Sequence, residues 1–234
     1  MPSFYIKFNQ NQTEIAVNGD EYHHIINVFR YKMSDVIPIL NGNGLKAQGK
    51  IVEIDKKQLK LSISNINNTE KPTKRVACAF SLLKNKNDLW VVEKLTELGV
   101  TELFPIITNN SVKTGKENTL DKFQKTAISA VKQCDNPFLP NIYEVSDLNT
   151  LITKLKENNY IPIVATETRP NFTLTNYLKT NNDTEICMII GPEGGWEKKE
   201  LIFFEANQIL QVKLTENILR AETAAIYAVS LVVT

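Results

Sequence analysis

The chain has 234 residues, 42% of them hydrophobic and 23% charged, with a net charge of +1. That is a soluble globular composition, with enough apolar surface for one large or two modest cores. No run approaches the roughly 18 apolar residues of a membrane span. Met1-Pro2-Ser3-Phe4-Tyr5-Ile6-Lys7 lacks the charged-then-apolar shape of a signal peptide. The three dispersed cysteines, Cys78, Cys134 and Cys187, make neither a disulfide framework nor a zinc motif. A cytoplasmic protein with no membrane partner and no metal is expected.

Charge is uneven along the chain. Residues 1–132 hold 19 Lys+Arg against 13 Asp+Glu, and residues 133–234 hold 8 against 13. Such asymmetry hints at nucleic acid on the first part, although solvated charge is the plainer explanation of the count by itself.

Residues 1–70 read mainly as strands. Phe4-Tyr5-Ile6 and Glu14-Ile15-Ala16-Val17 are short candidates, and Val36 to Leu40, Lys46 to Ile54 and Leu59 to Ile66 alternate or run apolar. Asn41-Gly42-Asn43-Gly44 is a hairpin signal between two of them. One helix interrupts, with Asp20 as its expected cap and Tyr22, Ile25, Ile26 and Phe29 at i, i+3, i+4 and i+7. Five short strands and one helix suggest a small β-barrel. The polar, proline-ended stretch 65–73 is the best linker.

From Arg75 strands and helices alternate. Val76 to Phe80 is a buried strand, Leu89, Val92, Leu95 and Leu98 mark a helix ending at Gly99, and Leu103 to Ile107 is a strand. Leu120, Phe123, Ala127 and Val131 mark a second helix, and Asp147 caps a third. Ile161 to Ala165 and Ile186 to Ile190 are further strands. The second of these stops at Gly191-Pro192-Glu193-Gly194-Gly195-Trp196, and a helical pattern follows. Gln211 to Leu214 is a last short strand, and Ile218 to Ala225 turns into a small-residue helix. This order argues for a mostly parallel sheet covered by helices on both faces. In such sheets ligands bind outside the carboxyl ends of the strands, where the glycine turn falls. The turn is neither a dinucleotide fingerprint nor a Walker loop.

Few residues announce chemistry. His23 and His24 are the only histidines; neighbours on a helix, they face different ways and make a poor metal pair. No serine has a histidine in a recognisable local motif, which disfavours hydrolase chemistry. Lys84-Asn85-Lys86-Asn87-Asp88 is a basic loop, and Lys113, Lys116, Lys122, Lys125 and Lys132 continue the positive character. Such lysines suit phosphate contacts.

Gly191-Pro192-Glu193-Gly194-Gly195 followed by Leu219-Arg220-Ala221-Glu222-Thr223-Ala224 resembles the paired signature of the RsmE family. These are 16S ribosomal RNA uridine N3-methyltransferases of the SPOUT superfamily. The stretch 23–30 is similar to the family's barrel helix, Trp90 to Val100 to its first SPOUT helix, and Lys132-Gln133 with Pro140 to a further motif. The resemblance covers nearly the whole chain. It implies a PUA-like β-barrel over residues 1–70 that binds RNA. It also implies a SPOUT methyltransferase domain over residues 73–234, with a trefoil knot and a homodimer. The implied cofactor is S-adenosylmethionine, with S-adenosylhomocysteine as product. The implied partner is 16S ribosomal RNA within the small ribosomal subunit.

By the same resemblance Thr166, Glu167, Gly191, Glu193, Gly194, Gly195, Leu214, Ile218, Leu219 and Arg220 hold the cofactor. Arg220 is the expected catalytic cation, held by Glu222 or Glu93. Arg30, Lys32, Lys84, Lys86, Lys113 and Gln133 are the expected RNA contacts. The chain departs from the family pattern at Ser34, Asn110, Cys134, Asn136, Glu197 and Thr215. The alternatives are a non-catalytic RNA-binding or ribosome-assembly protein that kept the fold, and a different α/β enzyme with a nucleotide in the same loop.

Overall fold

Alternating apolar residues build the first sheet, because successive strand side chains face opposite sides. In the strands Leu45–Ile54 and Gln58–Asn68 the pattern shows directly: Leu45, Ala47 and Ile51 are buried, as are Leu59, Leu61 and Ile63. The computed structural model describes residues 2–112, 115, 118–167 and 172–234. The chain forms two units, one of Met1–Lys71 with Ile128–Leu139, the other of Pro72–Ala127 with Pro140–Thr234.

The first unit holds β1 (Phe4–Tyr5), β2 (Glu14–Asn18), β3 (Val36–Leu40), β4 (Leu45–Ile54) and β5 (Gln58–Asn68), in the order β1-β3-β4-β5-β2. β1 runs parallel to β3 and the other pairs are antiparallel. Two register shifts in the β4–β5 ladder, at Lys46/Gln48 and Ile51/Glu53, bend the sheet. The Asn-Gly turn closes the β3–β4 hairpin, with the Asn41 carboxamide oxygen accepting from the N–H of Asn43 and Leu45. β5 runs on to Asn68, further than its apolar pattern predicts, because Asn67 and Asn68 pair with Lys46 and Leu45.

The helix of this unit differs from its expected form. α1 spans Gly19–His23 and opens into a π-helical turn over His24–Val28. Asp20 is not the cap; it lies in the first turn, and Asn18 holds the cap position while Gly19 turns the chain at φ +60°. The wider turn keeps Ile25 fully buried but carries Phe29 partly outward, edge-on to Phe4.

The second unit is a six-stranded, all-parallel sheet in the order β11-β9-β10-β6-β7-β8. Its strands are β6 (Arg75–Ser81), β7 (Glu102–Ile106), β8 (Asn141–Ile142), β9 (Ile161–Ala165), β10 (Glu185–Ile190) and β11 (Leu210–Val212). Its helices are α2 (Asn87–Glu97), α3 (Thr119–Cys134), α4 (Leu148–Glu157), α5 (Leu174–Thr180), α6 (Lys198–Ala206) and α7 (Ala221–Val233). From Ile128, α3 clusters with the first unit. The continuous apolar run Ile186 to Ile190 is buried throughout, as a strand covered on both faces must be. Gly99 ends α2 at φ +82°, and the Asp147 carboxylate caps α4 by accepting from the N–H of Thr150.

Two elements carry no periodic signal. β8 is too short to show alternation. α5 is a single short helix whose cap is Thr173, its hydroxyl accepting from the N–H of Asn176.

Candidate active site

β11, β9, β10 and β6 are neighbours and parallel, so the segments that follow them emerge on one side. Together those segments line a cavity of about 990 Å³. Its walls are Lys84, Asn85 and Asn87 after β6, residues 165–167 after β9, 191–196 after β10 and 213–222 after β11.

The glycine turn is held from three directions. Gly195 sits at φ +69° and its N–H donates to the Pro192 carbonyl at 3.0 Å. The Trp196 indole N–H donates to the Ala165 carbonyl at 2.9 Å, tying the loop to the end of β9. The Asn110 amide donates to the carbonyls of Gly194 at 3.2 Å and Gly195 at 3.0 Å. Asn110, one of the departures from the expected family pattern, here braces the loop.

A buried carboxylate ties α6 to the same region. Glu200 is 3% exposed; one oxygen accepts from the N–H of Asn109 at 3.0 Å and the other from the N–H of Glu197 at 2.8 Å. Glu200→Ala orphans both donors. It is expected to cost about 2–4 kcal/mol, since charge-assisted bonds are worth about 1.5–3 kcal/mol each and part is regained by water. A lowered denaturation midpoint at unchanged slope is the reading that checks it.

The loop 84–87 is clamped between two acids. The Lys84 N–H donates to the Glu193 carboxylate at 3.0 Å, and the Asn87 amide donates to the Glu222 carboxylate at 3.1 Å. Between these anchors Asn85 and Lys86 both sit at positive φ, 53° and 66°. Among the described residues, two polar atoms near the cavity are buried without a partner, Thr166 Oγ1 and Glu222 Oε2. Thr166 and Glu222 are each 6% exposed, and both residues line the cavity. Ile218 is an apolar side chain on the rim that is 77% exposed.

All ten expected cofactor residues line this one cavity: Thr166, Glu167, Gly191, Glu193, Gly194, Gly195, Leu214, Ile218, Leu219 and Arg220. Glu222 and Lys84 line it as well. Glu93 and Lys86 do not. Glu93 pairs with Lys94 at 2.7 Å on the side of α2. No described residue forms an ion pair with Arg220, and Glu222 is engaged by Asn87 instead. Arg30, Lys32 and Gln133 belong to the first unit. Lys113 lies outside the described residues. Asn87, Trp196 and Lys213 also line the cavity, although sequence reasoning gave them no part in the site. For Asn87 the only sequence signal was its place in the basic loop. Among the described residues no group of three or more His, Cys, Asp or Glu could hold a metal, and no helix is long and apolar enough to cross a membrane.

Fold and site define an α/β domain with a large ligand cavity at the carboxyl ends of parallel strands, preceded by a small β unit. Residues 69–233 match the family described as RNA methyltransferase domain, and residues 17–64 match the RNA methyltransferase PUA domain. The chain belongs to this family of RNA methyltransferases, within it to the RsmE type. Ribosomal RNA small subunit methyltransferase E 2 of Borreliella burgdorferi is 28% identical, over 92% of this chain and 89% of its own. Ribosomal RNA small subunit methyltransferase E of Bacillus subtilis is 25% identical, over 98% of this chain and 95% of its own. The crystal structure of ribosomal RNA small subunit methyltransferase E from Neisseria gonorrhoeae, bound to S-adenosyl methionine, shares the fold. Its TM-score is 0.87 at 22% identity, over 98% of this chain and 95% of that one. The small β unit is thus PUA-like, and the parallel α/β domain shares the fold of that structure.

Proposed function

We propose that the chain methylates N3 of a uridine in 16S ribosomal RNA, with S-adenosylmethionine as donor and S-adenosylhomocysteine as product. The observation that carries this reading is the cavity: segments 165–167, 191–196 and 213–222, which hold the expected cofactor residues, enclose one space. At about 990 Å³ it lies at the upper end of the range for small-molecule sites, roughly 300–1,000 Å³.

The lining fits the cofactor. Gly191 packs so closely under Trp196 that a Cβ would lie 2.8 Å from the indole, leaving bare main chain toward a ligand. Leu214, Ile218 and Leu219 supply an apolar face for a purine. Thr166 Oγ1, buried and unpartnered, supplies a hydroxyl for a polar edge. When bound, the cofactor supplies a methyl group on a sulfonium, already a good leaving group.

The chain's task is alignment and charge. Holding the nucleophile in line with the methyl carbon removes much of the barrier. Arg220 places a fixed cation where negative charge grows on the uracil as N3 gives up its proton. A paired uridine hides N3, so an unpaired or splayed nucleotide is the substrate form. Arg30 and Lys32 in the PUA-like domain, residues 1–70, and Lys84, Lys86, Lys113 and Gln133 in the methyltransferase domain, residues 73–234, grip the surrounding RNA. Their phosphate contacts give salt-dependent affinity. The protein acts in the cytoplasm as a knotted homodimer, on RNA within the small subunit.

Calorimetry with S-adenosylmethionine and mass spectrometry of ribosomal RNA from a deletion strain test this together. Saturable heat and loss of one N3-methyluridine from 16S RNA are expected. No heat at high cofactor concentration, with an unchanged nucleoside profile, would favour a non-catalytic RNA-binding role.

A further inference from the structure

We propose that Glu222 is the general base that removes the N3 proton of the target uridine, and that Asn87 is the residue that positions it. This rests on the uridine N3-methyltransferase reading and adds to it the missing proton acceptor.

Three observations converge on the pair. Glu222 is 6% exposed and lines the cavity, yet its Oε2 has no partner among the described residues. A buried carboxylate oxygen left unpaired costs about 1–3 kcal/mol or more, and folded proteins rarely leave one without a use. Its other oxygen is occupied, accepting from Asn87 at 3.1 Å. Asn87 is neutral, so it orients the carboxylate without cancelling its charge. Arginine or lysine at that position would form an ion pair and weaken the acceptor.

The third observation is the cost of placing Asn87 there. The chain reaches it through two successive left-handed residues, Asn85 and Lys86. Asn85 adopts this region at small cost, but Lys86 costs about 1–3 kcal/mol there and persists where the surroundings hold it, typically at functional sites. Here the surroundings are Glu193 at Lys84 and Glu222 at Asn87. Strain is retained at the cavity wall to bring one amide to one carboxylate.

The step balances. The N3–H bond breaks and its proton passes to Glu222 Oε2. The N3 electron pair forms the bond to the methyl carbon of the sulfonium donor. The sulfur–carbon bond breaks with its pair remaining on sulfur, which becomes a neutral thioether. The carboxyl then releases its proton to water. In the transfer one negative carboxylate and one positive sulfonium are neutralised together, and the later loss of the proton restores the carboxylate.

Glu222→Gln keeps the shape and the Asn87 contact but removes the base. Cofactor affinity by calorimetry should stay within about threefold, while single-turnover methyl transfer to small subunits should fall about 10²–10⁴-fold. The residual rate should rise about tenfold per pH unit as the imide ionises by itself, a slope that the wild-type rate should not share. The other charged groups on this cavity, Lys84, Glu167, Glu193, Lys213, Glu216 and Arg220, are common to both proteins and do not create that difference. Asn87→Ala should fall about tenfold with part of the same slope, which a merely structural role would not produce. Equal losses of cofactor affinity and rate, a wild-type rate in Glu222→Gln, or a flat residual profile would each overturn the assignment. A wild-type protein that binds cofactor and methylates N3 beside an unimpaired Glu222→Gln would sink the base alone. A wild-type protein that does neither would sink the reaction reading too.

Discussion

Arg220→Ala is expected to cut methyl transfer by about 10²–10³-fold while leaving S-adenosylmethionine affinity within about tenfold. The structure separates the two effects. Arg220 caps α7 through its main chain: its carbonyl accepts from the N–H of Ala224 at 2.8 Å, and its φ of −63° with ψ of 152° is ordinary for a cap. No described residue pairs with its guanidinium, so truncation orphans no buried charge and the fold survives. What disappears is a cation at the cavity rim, and a cation matters most where charge develops during reaction rather than in the bound ground state. Arg220→Lys should recover part of the loss, because a point charge replaces a planar fork. Single-turnover assays beside calorimetry distinguish the cases. Parallel losses in affinity and rate would make Arg220 a cofactor ligand instead.

Much of this arrangement was legible in the chain, and the limits have physical causes. The parallel sheet follows from continuous apolar runs such as Ile186 to Ile190, which only a strand buried on both faces tolerates. The glycine turn announced itself because a strand that stops at Gly191-Pro192 has nowhere to go but a loop. Periodicity is silent where elements are short, as at β8 and α5, and where the helical period itself changes, as at the π-helical turn that displaces Phe29. Asn87 was legible only as part of a basic loop. Its contact with Glu222 spans 135 positions, and no local pattern encodes a hydrogen bond of that range. The same holds for Asn110, which reads only as a departure from the family pattern until its amide is seen holding the carbonyls of Gly194 and Gly195.

The glycines of the turn should fail for different reasons, and this gives the second large effect. A Cβ added at Gly195 would meet open space, and the position's only demand is a positive φ of 69°. Gly195→Asn is therefore expected to be tolerated, because asparagine adopts the left-handed region at small cost, and Gly195→Ala should lose about 1–2 kcal/mol. Gly191 has no positive φ, but its Cβ would lie 2.8 Å from Trp196 Cε2 and 3.1 Å from Nε1. The indole has no easy retreat. Its N–H is bonded to Ala165, and its ring stands edge-on to Phe204, fully buried, at 4.8 Å. Gly191→Ala must therefore push the tryptophan off its hydrogen bond or shift the end of β10, an overpacking cost of about 1–3 kcal/mol. Either movement disturbs the cavity wall built from the ends of β9 and β10. Cofactor affinity should fall about 10–100-fold, since each 1.4 kcal/mol is a factor of ten. Melting curves and calorimetry on the three variants test the contrast. Gly191→Ala with wild-type affinity would mean that Trp196 moves freely and that the wall is not rigid where the cofactor is placed.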